Sequence, residues 1–188
     1  MGDGMIGQMM EPVEMPDYQP RQLSEKTWAT TGWSKEMGIP RRIINSLYIE
    51  PDVLEKHNQK LMRKYAEIEK NECLVEEQFT EDADIIIAAY GTTARICLTA
   101  VRQARAQGIK CGLIRPITVW PFPSATFLKA AERARAVLCV EMSCGQMIDD
   151  VRIAVQGKCT VMFYGRTGGM IPSVREIQAE IEKLNAAR

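Results

Sequence analysis

The chain has 188 residues, 46% apolar and 26% charged, enough apolar side chain to offset chain entropy, which excludes disorder throughout. Its 24 basic and 24 acidic residues cancel, which excludes nucleic-acid binding by bulk phosphate neutralisation and attachment to a membrane through a polybasic surface. No apolar run approaches the roughly 18–20 residues of a membrane helix, and the Met-Gly-Asp-Gly start lacks the order of a secretory signal, so a cytoplasmic location is expected.

Residues 1–50 are broken by Pro12, Pro16, Pro20 and Pro40 and read as an extended, irregular arm. Ile6, Trp28, Trp33, Ile43, Ile44 and Leu47 are too apolar for a solvated tail, so the arm is expected to pack on something. Gly2-Asp3-Gly4 mimics the opening of a thiamine diphosphate metal motif. That motif needs a strand before it and an Asn pair after it, and the first Asn here is the unpaired Asn45, so the reading is rejected. Residues 51–80 read as a connector helix and linker. Pro51 suits a first helical turn, and Leu54, Leu61, Tyr65 and Ile68 form one apolar stripe over 51–71. His57 falls on the stripe's side and reads as a partly buried helix residue rather than a ligand.

From 81 to 188 short apolar runs alternate with helical stretches. Ile85–Tyr90, Lys110–Arg115, Ala136–Glu141 and Thr160–Tyr164 are continuously apolar, as strands covered on both faces are. The first helix carries Ala94, Cys97, Leu98, Val101 and Ala104 and stops at Gly108. The second opens at Ser124 and carries Phe127, Leu128 and Ala131. The third carries Met147, Ile148, Val151 and Val155, with Asp149 and Asp150 where the helix dipole favours them. The fourth begins with a Ser173/Glu176 capping box before Ile177, Ile181 and Leu184. Four strand–helix units imply an α/β class fold: a doubly wound, mainly parallel sheet in three layers.

In such sheets ligands gather at the strand carboxyl ends. Those ends are polar and glycine-bearing here, and the candidate interface or ligand residues are Gly91, Thr92, Arg115, Glu141, Cys144, Gln146 and Arg166. The Gly91-Thr92-Thr93 turn opens a helix whose N–H groups could hold an anion, although neither GxGxxG nor a P-loop is present. Cys144 precedes a helix N-terminus, where a thiolate is favoured, but a nucleophile needs a base, and the only histidine is remote in sequence, although Glu141 is close. Glu141 ends a buried strand and needs a partner; Arg115, Arg166 or another subunit is expected to supply one. The six cysteines show no CxxC pair and lie far from the lone His57, so most read as small buried hydrophobes and no metal site is assigned.

Several of these segments resemble the C-terminal part of the α subunit of 2-oxoacid:ferredoxin oxidoreductases, in the 2-ketoisovalerate and 2-oxoglutarate branch. They are Tyr90-Gly91-Thr92, Gly108-Ile109-Lys110, Leu113 through Pro123 (LIRPITVWPFP), Val140-Glu141-Met142, Gly145-Gln146-Met147, and Tyr164-Gly165-Arg166 with Gly168-Gly169. Asp3–Pro12 is similar to the family's exit from a pyrimidine-binding domain, and the helix around His57, Lys64 and Tyr65 to its connector. The resemblance implies a transketolase C-terminal-like domain at 81–188, with the 1–50 arm left from a missing pyrimidine-binding domain. It begins in the middle of the family's subunit, so a C-terminal fragment is expected. It also implies a complex that oxidatively decarboxylates a 2-oxoacid with coenzyme A and reduces ferredoxin. There, thiamine diphosphate and magnesium belong with a β subunit, and the iron–sulfur clusters with γ and ferredoxin-like subunits. None of the family's catalytic residues falls on this sequence, so the isolated chain is expected to be inactive, a structural and interface domain. The bared arm is expected to be disordered or to pair with a second copy. The alternative is a free-standing α/β module that binds an anion at the strand ends.

Overall fold

The computed structural model describes residues 4–187 other than 11, 13 and 31. Gly2, Asp3 and Glu11, on which the thiamine-motif and domain-exit readings lean, lie outside the described residues. The chain divides into two compact units, Met10–Lys64 and the remainder.

Within Met10–Lys64 the only regular elements among described residues are a 3-10 turn at Lys35–Met37 and most of helix α1, Pro51–Asn71. Loops are tied by local bonds: the Trp33 indole N–H donates to the Ile39 carbonyl at 2.8 Å, and Arg42 donates to the Ala29 carbonyl at 3.1 Å. Trp28, Ile43, Ile44 and Leu47 stand exposed. α1 starts at Pro51 as expected, but none of its residues is buried; Leu54 and Tyr65 of the apolar stripe are exposed. His57 is half-buried and stacks on Tyr48 with ring centroids 4.5 Å apart.

The other unit holds a five-stranded sheet of order β1-β3-β2-β4-β5. Its strands are β1 Val75–Gln78, β2 Ile85–Ala88, β3 Cys111–Pro116, β4 Ala136–Glu141 and β5 Thr160–Gly165. β1 runs antiparallel to β3, and all other pairs are parallel. The helices are α2 Gly91–Ala106, α3 Ser124–Ala131, α4 Met147–Val155 and α5 Val174–Ala186.

Side chains alternate across each strand, so a strand in a middle layer needs apolar residues at every position. Ile85 and Ile87 of β2 join Cys97, Val101, Ile177 and Ile181 under α2 and α5. Ile86 and Ala88 face the other way, with Phe127, Ile148 and Val151 of α3 and α4. Each fully buried Ile contributes about 2 kcal/mol of transfer free energy. The expected three-layer, doubly wound α/β architecture is therefore present.

Two expectations need correction. The 51–80 stretch contains a strand, β1, which is short and polar because it is an antiparallel edge. β5 is not covered on both faces: Thr160 and Met162 are exposed because β5 is the opposite edge.

Candidate functional site at the strand carboxyl ends

β2 and β4 are neighbours, yet the helices that follow them, α2 and α4, pack on opposite faces of the sheet. The chain parts at their carboxyl ends, and this switch point is where open α/β sheets form a crevice. The loops that border it are Ala89–Tyr90 and Met142–Gln146.

On the first loop, Gly91 takes φ +58°, a left-handed conformation that lets the chain turn from β2 directly into α2. The Tyr90 carbonyl accepts the Ala94 N–H at 3.2 Å and the Thr93 hydroxyl at 2.5 Å. Gly91, Thr92 and Thr93 are buried, so this turn is packed rather than open.

The second loop is organised by Glu141, which is fully buried. Its Oε1 accepts the Ile148 N–H at 3.0 Å, and its Oε2 accepts the Met147 N–H at 3.0 Å. The Gln146 N–H reaches both oxygens, at 3.2 and 3.1 Å. The Ser143 hydroxyl donates to Oε2 at 3.1 Å and accepts the Gly145 N–H at 3.0 Å. The carboxylate thus fills the N-terminus of α4, where unpaired amides and the helix dipole favour negative charge.

This corrects the expectation of an arginine partner. Arg115 pairs with Glu76 of β1 at 2.7 Å, two strands away from β4. The Arg166 side chain pairs with Glu176 at 2.9 Å. Only its backbone touches the site, its N–H donating to the Glu141 carbonyl at 3.1 Å.

Glu141 and Gln146 are therefore brought together, Cys144 stands exposed on the same loop, and Arg115 lies apart. Ser143 was missed; its signal is a hydroxyl two residues past a buried acid and two before a glycine. Gly165 completes the arrangement: a Cβ there would lie 2.5 Å from the Ser143 carbonyl oxygen and from the Phe163 ring. Cys139, 3.5 Å from Glu141 Oε1, is inert as a nucleophile, because burial first and the Glu141 charge second push its thiol up. Burial likewise pushes the Cys111 thiol up to about 12. Among the described residues no three of His, Cys, Asp and Glu form a group able to hold a metal ion, and no helix is long and apolar enough to cross a membrane.

A family model described as pyruvate:ferredoxin oxidoreductase core domain II matches residues 83–177, half of the chain, from just before β2 into α5. The chain belongs to this family. The core domain II match takes in both loops of the switch point. Outside it the likeness continues: the chain is 38% identical over 184 residues to ketoisovalerate oxidoreductase subunit VorB of Methanothermobacter marburgensis, covering 98% of the chain and 51% of that protein. It is 39% identical over 107 residues to 2-oxoglutarate synthase subunit KorA of the same organism, covering 57% of the chain and 28% of the relative. The chain thus spans about half the length of the ketoisovalerate relatives. A solved 2-oxoglutarate:ferredoxin oxidoreductase from Magnetococcus marinus superposes with a TM-score of 0.61 at 19% identity, over 72% of this chain and 24% of that one. At that identity the likeness shows the fold.

Proposed function

We propose that this chain is the core-domain-II portion of a ketoisovalerate-type 2-oxoacid:ferredoxin oxidoreductase α subunit. The observation that carries this reading is the extent of the match: identity to the ketoisovalerate subunit runs over 98% of the chain, through the arm and α1, whereas identity to the 2-oxoglutarate subunit covers 57%. The reaction proposed for the complete assembly joins coenzyme A to the acyl group of a branched-chain 2-oxoacid. It releases CO2 and passes two electrons to ferredoxin.

In that reaction the chain acts as scaffold and subunit interface. On this reading thiamine diphosphate with magnesium belongs with a β subunit, the iron–sulfur clusters with γ and ferredoxin-like subunits, and the assembly with the cytoplasm. Within the chain, Glu141 holds the Met142–Gln146 loop in one shape, and Cys144 and Gln146 on that loop are the proposed contacts to neighbouring domains. A free-standing anion-binding module is disfavoured by the same geometry. The α4 N-terminus is already occupied by a carboxylate of the chain itself, and the α2 turn is buried.

The test is reconstitution. The chain, the rest of the α subunit, the remaining subunits and coenzyme A are combined, and ferredoxin reduction is followed with ketoisovalerate and with 2-oxoglutarate. Reduction that requires this chain and is faster with ketoisovalerate is expected. Reduction by the chain alone, or undiminished reduction when it is left out, overturns the proposal.

A further inference from the structure

Arg135 stands just before β4 with both backbone groups held. Its N–H donates to the Asp84 carbonyl at 2.9 Å, and its carbonyl accepts the Thr160 N–H at 3.2 Å. The side chain runs to the C-terminal end of α5, where Nη1 donates to the Ala187 carbonyl at 3.5 Å. A cation is favoured at that end of a helix, which accounts for an arginine here. It does not account for Nη2, which is shut off from water and has no hydrogen-bond partner. Among the described residues it is the only buried side-chain nitrogen or oxygen in that state, and none of the ion pairs there involves Arg135. A buried donor on a charged group is costly until an acceptor meets it.

The same side chain borders a hollow of about 420 Å³ between the sheet and α5. Its other walls are Ala136 and Thr160, the paired first residues of β4 and β5, together with Met162, Leu184 and Ala187. Thr160, Met162 and Ala187 are exposed, so the hollow opens to solvent. It lies at the amino ends of the strands, the opposite end of the sheet from the Glu141 loop.

We propose that this hollow binds a short aliphatic carboxylate, its head on the Arg135 guanidinium and the Thr160 hydroxyl and its tail against Met162 and Leu184. The lining selects that class. A guanidinium with no acid beside it calls for a negative charge, and Nη2 and the Thr160 hydroxyl are two donors for two oxygens. The remaining side chains, of Ala136, Met162, Leu184 and Ala187, carry no hydrogen-bonding oxygen or nitrogen and suit an alkyl tail. A phosphate brings a third oxygen that would face those side chains unpaired. A neutral apolar molecule would leave Nη2 as it is. At 3.5 Å the bond from Nη1 to Ala187 is weak, so the guanidinium can turn its Nη2 edge to a ligand.

The experiment is titration of the full chain, methyl-labelled at methionine, with isovalerate. It is followed by NMR, with the Met162 signal assigned through Met162→Leu. Saturable movement of the Met162 signal is expected. Isovaleramide, the uncharged analogue, and inorganic phosphate are each expected to bind roughly tenfold more weakly or worse. Arg135→Gln is expected to weaken isovalerate binding by roughly tenfold or more and to leave the circular dichroism unchanged. Ala187→Phe fills the hollow from its exposed rim and is expected to abolish the movement with Arg135 intact, so the test does not hang on the folding of one variant. No saturation with isovalerate, equal binding of isovaleramide or of phosphate, or undiminished binding by Arg135→Gln or Ala187→Phe overturns the proposal. None of these readouts involves ferredoxin, so they stand apart from the enzymatic reading.

Discussion

A carboxylate buried without a cation persists only where fixed donors replace water. At Glu141 those donors are three amides of one helix terminus and a serine hydroxyl. Truncation by Glu141→Ala leaves the amides unpaired and opens a cavity, and is expected to cost about 3 kcal/mol or more in urea unfolding. Glu141→Gln keeps one acceptor oxygen but sets an NH2 against N–H donors, and is expected to cost roughly half as much. Equal stability of the Ala variant and the parent would show that the network contributes nothing. The sequence displays Glu141 as a buried strand end but not its partners, because backbone amides belong to every residue. Arginines at other strand carboxyl ends make an ion pair look natural in the sequence, yet Arg115 and Arg166 each pair with another acid, on β1 and at the start of α5.

At the scale of elements, legibility followed burial. β2 and β4 lie in the middle layer, where packing demands Ile, Val and Leu at consecutive positions, so they were readable as strands. β1 was not readable: Val75-Glu76-Glu77-Gln78 has one apolar residue, and what makes it a strand is pairing with β3, forty residues later in sequence. The Ser173/Glu176 capping box was readable because its bonds are local, and it forms: the Ser173 N–H donates to Glu176 Oε2 at 2.7 Å and the Glu176 N–H to Ser173 Oγ at 3.2 Å. These bonds, led by the Ser173 backbone N–H and with Arg166 adding, hold the Glu176 carboxyl below its usual range. A depressed folded-state pKa means the contribution is complete above the unfolded carboxylate pKa. It is lost as pH falls through the folded value. Glu176→Gln is therefore expected to lower thermal stability at neutral pH and to flatten its decline in acid. A decline as steep as the parent's would contradict this account of α5.

The whole molecule combines two unequal parts. The sheet unit has a core on both faces of β2 and β4, while described residues between Met10 and Lys64 have little burial and many exposed apolar side chains. Backbone with few buried contacts opens most readily. Limited trypsin treatment is therefore expected to cut first within Met10–Lys64, where Lys and Arg are exposed, and to leave a resistant product containing β1 through α5. Early cleavage inside β2–α4 would contradict that division. Trp28, Ile43, Ile44 and Leu47 are exposed apolar surface of the kind that marks contact with other protein, which is what the proposed interface role requires.

The most direct measurement of the central claim is capture of the tagged chain from its own cells, with the native mass and composition of what it brings down. The account predicts a complex that contains thiamine diphosphate-binding and iron–sulfur polypeptides in fixed ratio to this chain and reduces ferredoxin when given ketoisovalerate and coenzyme A. Recovery of the chain alone or only with copies of itself, without that activity, would contradict it.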